Sequence, residues 1–209
     1  MNKVILVVFS LAALITGIFT FKHLTKVPMP EHSLYYQKPR AVKPFTLTDH
    51  QGQSFTVDNL KGKWSWVFFG YTSCPDVCPT TLQELNFIFD DLKAASPDTQ
   101  VLLVSVDPQR DSQQILSEYI AYFNAEFKAL RGDHGVLFPF ARNLGLMYAI
   151  ADDSSQENYL VDHSASIVLI NPEGLISAVF KPKQVLGEIP VIEPEHVVSD
   201  FQRIVALYN

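Results

Sequence analysis

The sequence predicts an α/β fold: a central mixed sheet flanked by helices on both faces. Three observations carry that prediction. Residues 64–69 and 101–106 are short apolar runs of the kind that become buried central strands, and helical periodicity follows each of them. Residues 166–170 and 175–180 are two more strand-like runs, joined by the turn sequence Asn171-Pro172-Glu173-Gly174. Residues 195–207 read as a closing helix, with Pro194 suited to its first turn. Strands that alternate with helices and then end in a hairpin plus helix pack as layers around one sheet.

The first segment stands outside that pattern. Residues 4–21 form an uncharged apolar run of 18 residues, long enough to cross a hydrocarbon core as a helix. The run exceeds the roughly 7–15 residues of a signal-peptide core, and no A-x-A-like cleavage site follows it. A buried core helix would not be apolar all round at the start of the chain. Residues 1–24 are therefore expected to be a retained transmembrane anchor. Lys3 with the amino terminus balances Lys22 and Lys26, so charge does not fix the orientation. The segment lacks the Arg- and Ser-rich look of a transit peptide, which favours a bacterial inner membrane. Residues 25–43 carry Pro28, Pro30 and Pro39 among polar residues and read as an extended tether. Residues 44–209 then form the folded domain, large enough for one core.

Within that domain, residues 45–48 and 54–57 flank the turn-like Asp49-His50-Gln51-Gly52-Gln53. After the strand at 64–69 comes Gly70-Tyr71-Thr72-Ser73-Cys74-Pro75-Asp76-Val77-Cys78-Pro79. Leu82, Leu85, Phe89 and Leu92 then recur at helical spacing. Residues 112–123 form the next helix, with Asp111 or Ser112 as its cap, and residues 135–144 another. A strand that feeds directly into cysteines and then a helix is the thioredoxin layout. Sites in α/β sheets lie at the C-terminal ends of such strands.

Composition excludes several function classes. Hydrophobic residues make up 47% of the chain and charged ones 18%, which marks a globular protein rather than a disordered one. A net charge of -6 argues against a nucleic-acid footprint, which needs clustered Lys and Arg. Two cysteines are too few for a disulfide framework. Both lie in one motif at a helix N-terminus, where the dipole and free N–H groups favour thiolates. Thiolates suit either disulfide exchange or a soft metal, Cu(I) or Zn. An inert disulfide or two buried thiols is the plainer alternative. Zinc asks for four ligands and there is no second cysteine pair, whereas Cu(I) accepts three.

A third ligand would have to be a histidine. His23 and His32 lie in the anchor and tether, His50 in a turn, His134 in a polar loop and His196 in the first turn of the closing helix. His163 differs, because it immediately precedes the strand at 166–170, which in a thioredoxin layout starts beside the cysteine loop. Composition alone leaves His163 open between a loop histidine and a ligand.

Three segments resemble the Sco/SenC family. They are Phe69-Gly70-Tyr71-Thr72-Ser73-Cys74-Pro75-Asp76-Val77-Cys78-Pro79, Asp107-Pro108-Gln109-Arg110-Asp111 and Val161-Asp162-His163-Ser164, in the family's order. The resemblance covers the chain from about Pro44 onward. It implies a thioredoxin-like fold with an inserted hairpin and one copper ion, Cu(I) or Cu(II), bound by Cys74, Cys78 and His163. It also implies a role in assembling the Cu(A) site of cytochrome c oxidase subunit II, with another copper donor protein as a possible second partner. The soluble domain would then face the periplasm. Ser73 stands where many members carry a histidine, which removes an auxiliary donor but no main ligand.

Two functions share these residues. One is a metallochaperone that holds and passes on copper without turnover. The other is an enzyme, a thiol–disulfide oxidoreductase using Cys74 and Cys78 as a redox-active pair. A thiol peroxidase fits less well, since it needs one activated cysteine rather than two between prolines. Asp107, Arg110 and Asp111 could tune the charge of the copper loop, or could equally be a strand end, an ion pair and a helix cap. Tyr71 leads into that loop.

Overall fold

The computed structural model describes residues 3–24, 27–150, 159–185, 187 and 189–208. Met1 and Asn2 of the expected anchor, and Thr25 and Lys26 of the expected tether, lie outside them. α1 (Lys3–Leu24) is a helix whose described apolar side chains are exposed. Among the described residues, no helix is long and apolar enough to cross a membrane.

An eight-stranded sheet organises the domain. Its strands are β1 (Leu34–Ala41), β2 (Thr46–Asp49), β3 (Ser54–Thr56), β4 (Trp64–Gly70), β5 (Thr99–Ser105), β6 (Lys128–Arg131), β9 (Ile167–Ile170) and β10 (Leu175–Phe180). They lie in the order β1-β10-β9-β4-β5-β6-β2-β3. A separate two-stranded sheet pairs β7 (Tyr148–Ile150) with β8 (Val161–His163). β4 sits at the centre, parallel to β5 and antiparallel to β9. Every residue of β4 is buried, and five of its seven are aromatic or β-branched, the types that fit a pleated interior surface.

Successive side chains of β4 point to opposite faces, and each face meets a helix. Trp66 reaches Phe201 of α6 (Pro194–Tyr208), with ring centroids 5.1 Å apart, and Phe69 reaches Phe140 of α5 (His134–Leu144) at 5.8 Å. Burying each such side chain contributes roughly 1.5–3 kcal/mol. The remaining helices are α2 (Val77–Phe87), α3 (Phe89–Ala95) and α4 (Gln113–Phe123). Ser112, rather than Asp111, caps α4 by accepting from the Ile115 N–H at 3.2 Å. The turn at residues 171–174 forms as the sequence implies. The Asn171 side chain accepts from Glu173 and Leu175, and Gly174 takes φ +77°.

The folded unit starts earlier than its sequence suggests. Of the segment read as a tether, residues 34–41 form β1, an edge strand antiparallel to β10. Its register shifts between Tyr35 and Arg40, across Pro39. An edge strand with an irregular register is where a sheet tolerates a proline. Ahead of β1, the backbone N–H groups of Glu31, His32 and Ser33 all donate to the buried Asp200 carboxylate of α6. These contacts tie residues 31–41 into the domain.

Candidate metal centre

Cys74 and Cys78 are placed by the end of the central strand. β4 finishes at Gly70, a turn from Tyr71 O to Cys74 N (3.2 Å) reverses the chain, and α2 opens at Val77 with Asp76 in the cap position. Cys78 is fully buried and Cys74 half-buried. The approach of α2 to β4 requires Gly70. A Cβ there would stand 2.8 Å from Cys78 Sγ and 3.0 Å from the Phe68 ring, so only glycine lets the sulfur rest against the strand.

His163 arrives from elsewhere. It ends β8, opposite Tyr148 of β7. Its Nε2 lies 3.2 Å from Cys78 Sγ and 3.9 Å from Cys74 Sγ. The three ligand atoms fall within 4.8 Å of one another, and among the described residues no other group of three or more His, Cys, Asp and Glu side chains is so disposed. Nδ1 faces the Ser164 carbonyl at 3.3 Å. With the proton on Nδ1, shared with that carbonyl, the Nε2 lone pair would be free for a metal ion; with it on Nε2, the ring donates to the Cys74 sulfur instead. The edges of Phe68 and Tyr71 flank the imidazole at 5.8 and 5.9 Å. Four other histidines have contacts elsewhere. His32 stacks on His196, His50 accepts from the Ala129 N–H, and His134 pairs with the Tyr148 hydroxyl.

The sequence places both thiols at the helix N-terminus and so predicts thiolate at each, but in the structure the two shift in opposite directions. A hydrogen bond from Cys78 is the largest influence on Cys74. Against the opposing effect of burial, it brings the Cys74 thiol down to about 4, helped by His163 and the N–H groups of Cys78 and Asp76. Burial, and then the neighbouring Cys74 sulfur, push the Cys78 thiol upward. Of the two, Cys74 is the thiol favoured as thiolate, while burial opposes ionisation of Cys78.

Beneath the loop, Asp111 accepts from the Thr72 hydroxyl (2.6 Å) and N–H (3.2 Å) and from the Ser105 hydroxyl (2.5 Å). It is thus a buried support for the cysteine loop, and burial raises its carboxyl despite those donors. Asp107 pairs with Arg110 and accepts from the Tyr159 hydroxyl. Tyr71 accepts the Val161 N–H at 3.3 Å, joining the cysteine loop to β8. Sequence reasoning missed Thr72, Ser105 and Tyr159. Thr72 lies inside the cysteine motif and Ser105 two residues ahead of Asp107, so both could have been weighed, while Tyr159 carries no local signal.

Two sulfurs and one imidazole nitrogen make a soft donor set of three, suited to copper rather than to a closed four-ligand zinc site. The half-buried side at Cys74 leaves a route for an ion to enter and leave.

Comparison with known proteins agrees with this geometry. The family model SCO1/SenC matches residues 35–192. A SCO2-like protein of Rickettsia prowazekii is 32% identical over 174 residues, covering 81% of this chain and 85% of its own. The copper-bound crystal structure of Arabidopsis thaliana ScoI is 29% identical with a TM-score of 0.71, covering 80% of this chain and all of its own (100%). Copper-bound yeast Sco1 is 32% identical with a TM-score of 0.61, covering 68% of this chain and 80% of its own.

Proposed function

The chain belongs to the SCO1/SenC family, and from that premise we propose that it holds one copper ion on Cys74, Cys78 and His163 and delivers it to the Cu(A) site of cytochrome c oxidase subunit II. The observation that carries this reading is the meeting of two sulfurs and one imidazole nitrogen within 4.8 Å. A dithiol that only exchanged disulfides would not need the imidazole. Copper is here the cargo, and a second copper protein would supply it. Residues 1–24 act as a single-pass anchor in a bacterial inner membrane, with the domain on the periplasmic side. What supports the anchor is the uncharged apolar run of residues 4–21 in the sequence.

The unequal thiols favour a second reading, a thiol–disulfide oxidoreductase that reduces the cysteines of the oxidase site or of another exported protein. A low-lying Cys74 would attack and a protonated Cys78 would resolve. His163→Ala separates the two, because it weakens metal holding and leaves both thiols in place. In cells lacking the wild-type protein, this variant should fail to restore a Cu(A)-type oxidase at ordinary copper levels. Full restoration would point to thiol reduction instead.

A further inference from the structure

His163 stands on a three-residue strand whose only ladder partner among the described residues is another three-residue strand, outside the main sheet. So small a hairpin has little stability of its own, so side chains must place it. β7 is placed by Tyr148, which stacks on Phe138 at 4.5 Å and pairs with His134 at 2.8 Å. The approach to β8 is placed by Tyr159, four residues before His163 and only 4% exposed. The Arg110 guanidinium lies 3.7 Å from the centre of the Tyr159 ring and 5.5 Å from that of Tyr71. The Tyr159 hydroxyl donates to Asp107, itself bound to Arg110, and lies 3.3 Å from Gln109 Oε1. Arg110 thus sits between a tyrosine of the cysteine loop and a tyrosine of the histidine-bearing hairpin.

We propose, resting on the copper reading above, that Tyr159 is a positioning residue: gripped by Arg110 and Asp107, it holds β8 so that His163 faces the thiols, and so sets the site's preference between Cu(II) and Cu(I). Two thiolates satisfy a soft Cu(I) ion, whereas the harder Cu(II) depends on the imidazole. Loosening the hairpin therefore weakens Cu(II) first. Asp107 and Arg110 follow β5, so the grip transmits the placement of a central strand to a hairpin that lacks one.

The test uses the full chain in detergent micelles, as wild type, Tyr159→Phe and Tyr159→Ala. Amide hydrogen exchange is read on the copper-free protein. Cu(I) and Cu(II) affinities are read by chelator competition, and the Cu(II) form by electron paramagnetic resonance. In Tyr159→Ala, the Val161 and His163 amides should exchange about tenfold faster or more. Cu(II) affinity should fall about tenfold to hundredfold, the scale of a lost cation–π contact plus a hydrogen bond to a carboxylate. The Cu(II) spectrum should shift, and Cu(I) affinity should change less than about threefold. Tyr159→Phe keeps the ring under Arg110 and should fall between wild type and Tyr159→Ala. Wild-type exchange at Val161 and His163 in Tyr159→Ala, with both affinities unchanged, would overturn the positioning role while copper binding stood. Equal losses on both ions, with faster exchange throughout β4 and β5, would mark a general loss of fold and overturn it as well. If the wild type bound no copper, the copper reading itself would fall, and the claim about ion preference with it.

Discussion

The sulfurs and the imidazole of this centre rest on unlike foundations. Cys74 and Cys78 follow β4, a strand buried at every position and paired on both sides within an eight-stranded sheet. His163 ends a strand of three residues in a sheet of two, held by side-chain contacts. Backbone ladders inside a packed core open only with the whole domain, whereas short peripheral units open locally at lower cost. The thiol half of the site is thus rooted in the core, and the imidazole half in a short peripheral unit.

The contrast is tested most severely at the thiols. Cys74→Ser or Cys78→Ser removes one of two soft ligands from the core-rooted half. Metal analysis after copper reconstitution should fall from stoichiometric to background in both. His163→Ala should keep measurable Cu(I) while losing most Cu(II). Full affinity for both ions in His163→Ala would remove the imidazole from the site and erase the distinction between the halves.

A smaller effect should follow from crowding the core-rooted half. In Gly70→Ala the new methyl meets Cys78 Sγ, Phe68 and Leu103, at 2.8, 3.0 and 3.2 Å from where a Cβ would stand. None of these is a free surface tip, so the core must shift. Overpacking of this kind costs about 1–3 kcal/mol, and the tightness of the sulfur contact points to the upper part of that range. Urea unfolding should show the loss and chelator competition a parallel fall in Cu(I) affinity, because the sulfur moves with the strand. Wild-type values in both would show that α2 can slide along β4, and that the thiol half is not rigid.

The same division explains what could be read in the sequence. The two thiols, their strand and their helix are neighbours in the chain, so apolar runs and helical spacing were enough to find them. His163 lies 85 and 89 residues from its sulfur partners. Its place just ahead of the strand at 166–170 sets it apart from the other histidines but leaves it open between a loop histidine and a ligand, and the resemblance of its segment to a known family decides between them. Pro39 and its polar neighbours speak for a tether over the residues of β1, and pairing with β10 overrides that preference. β6, β7 and β8, at three or four residues each, are too short to show a period. Asp111 was weighed as a helix cap, but the cap is its neighbour Ser112, and the Asp111 carboxylate reaches back 39 residues to Thr72.

The smallest effect on the site should come from the far edge of the domain, where a third kind of support is at work. Asp200 is buried on α6. One oxygen accepts from the Glu31 N–H, and the other from the His32 N–H and from the Ser33 N–H and hydroxyl, at 2.7 to 2.9 Å. Burial alone would raise this carboxyl, yet those donors hold it below the usual range. A carboxyl depressed in the folded state contributes stability above its unfolded value, near about 3.9, and loses it as pH falls through the folded value. Asp200→Asn turns an amide NH2 towards backbone N–H groups, which can only donate. It should cost about 1 kcal/mol, the low end for a partly buried donor left unpaired. Urea midpoints should show that deficit unchanged from about pH 5 to pH 8 and shrinking below about pH 4, as the wild-type carboxyl takes up a proton. Cu(I) and Cu(II) affinities should stay at wild-type values, because β1 reaches the centre only through β10, β9 and β4. A deficit that persisted in acid would take the ionised carboxylate out of the clasp. A fall in copper affinity would show that the N-terminal segment and the metal centre are coupled through the sheet, and that the division between a core-rooted half and a peripheral half is too simple.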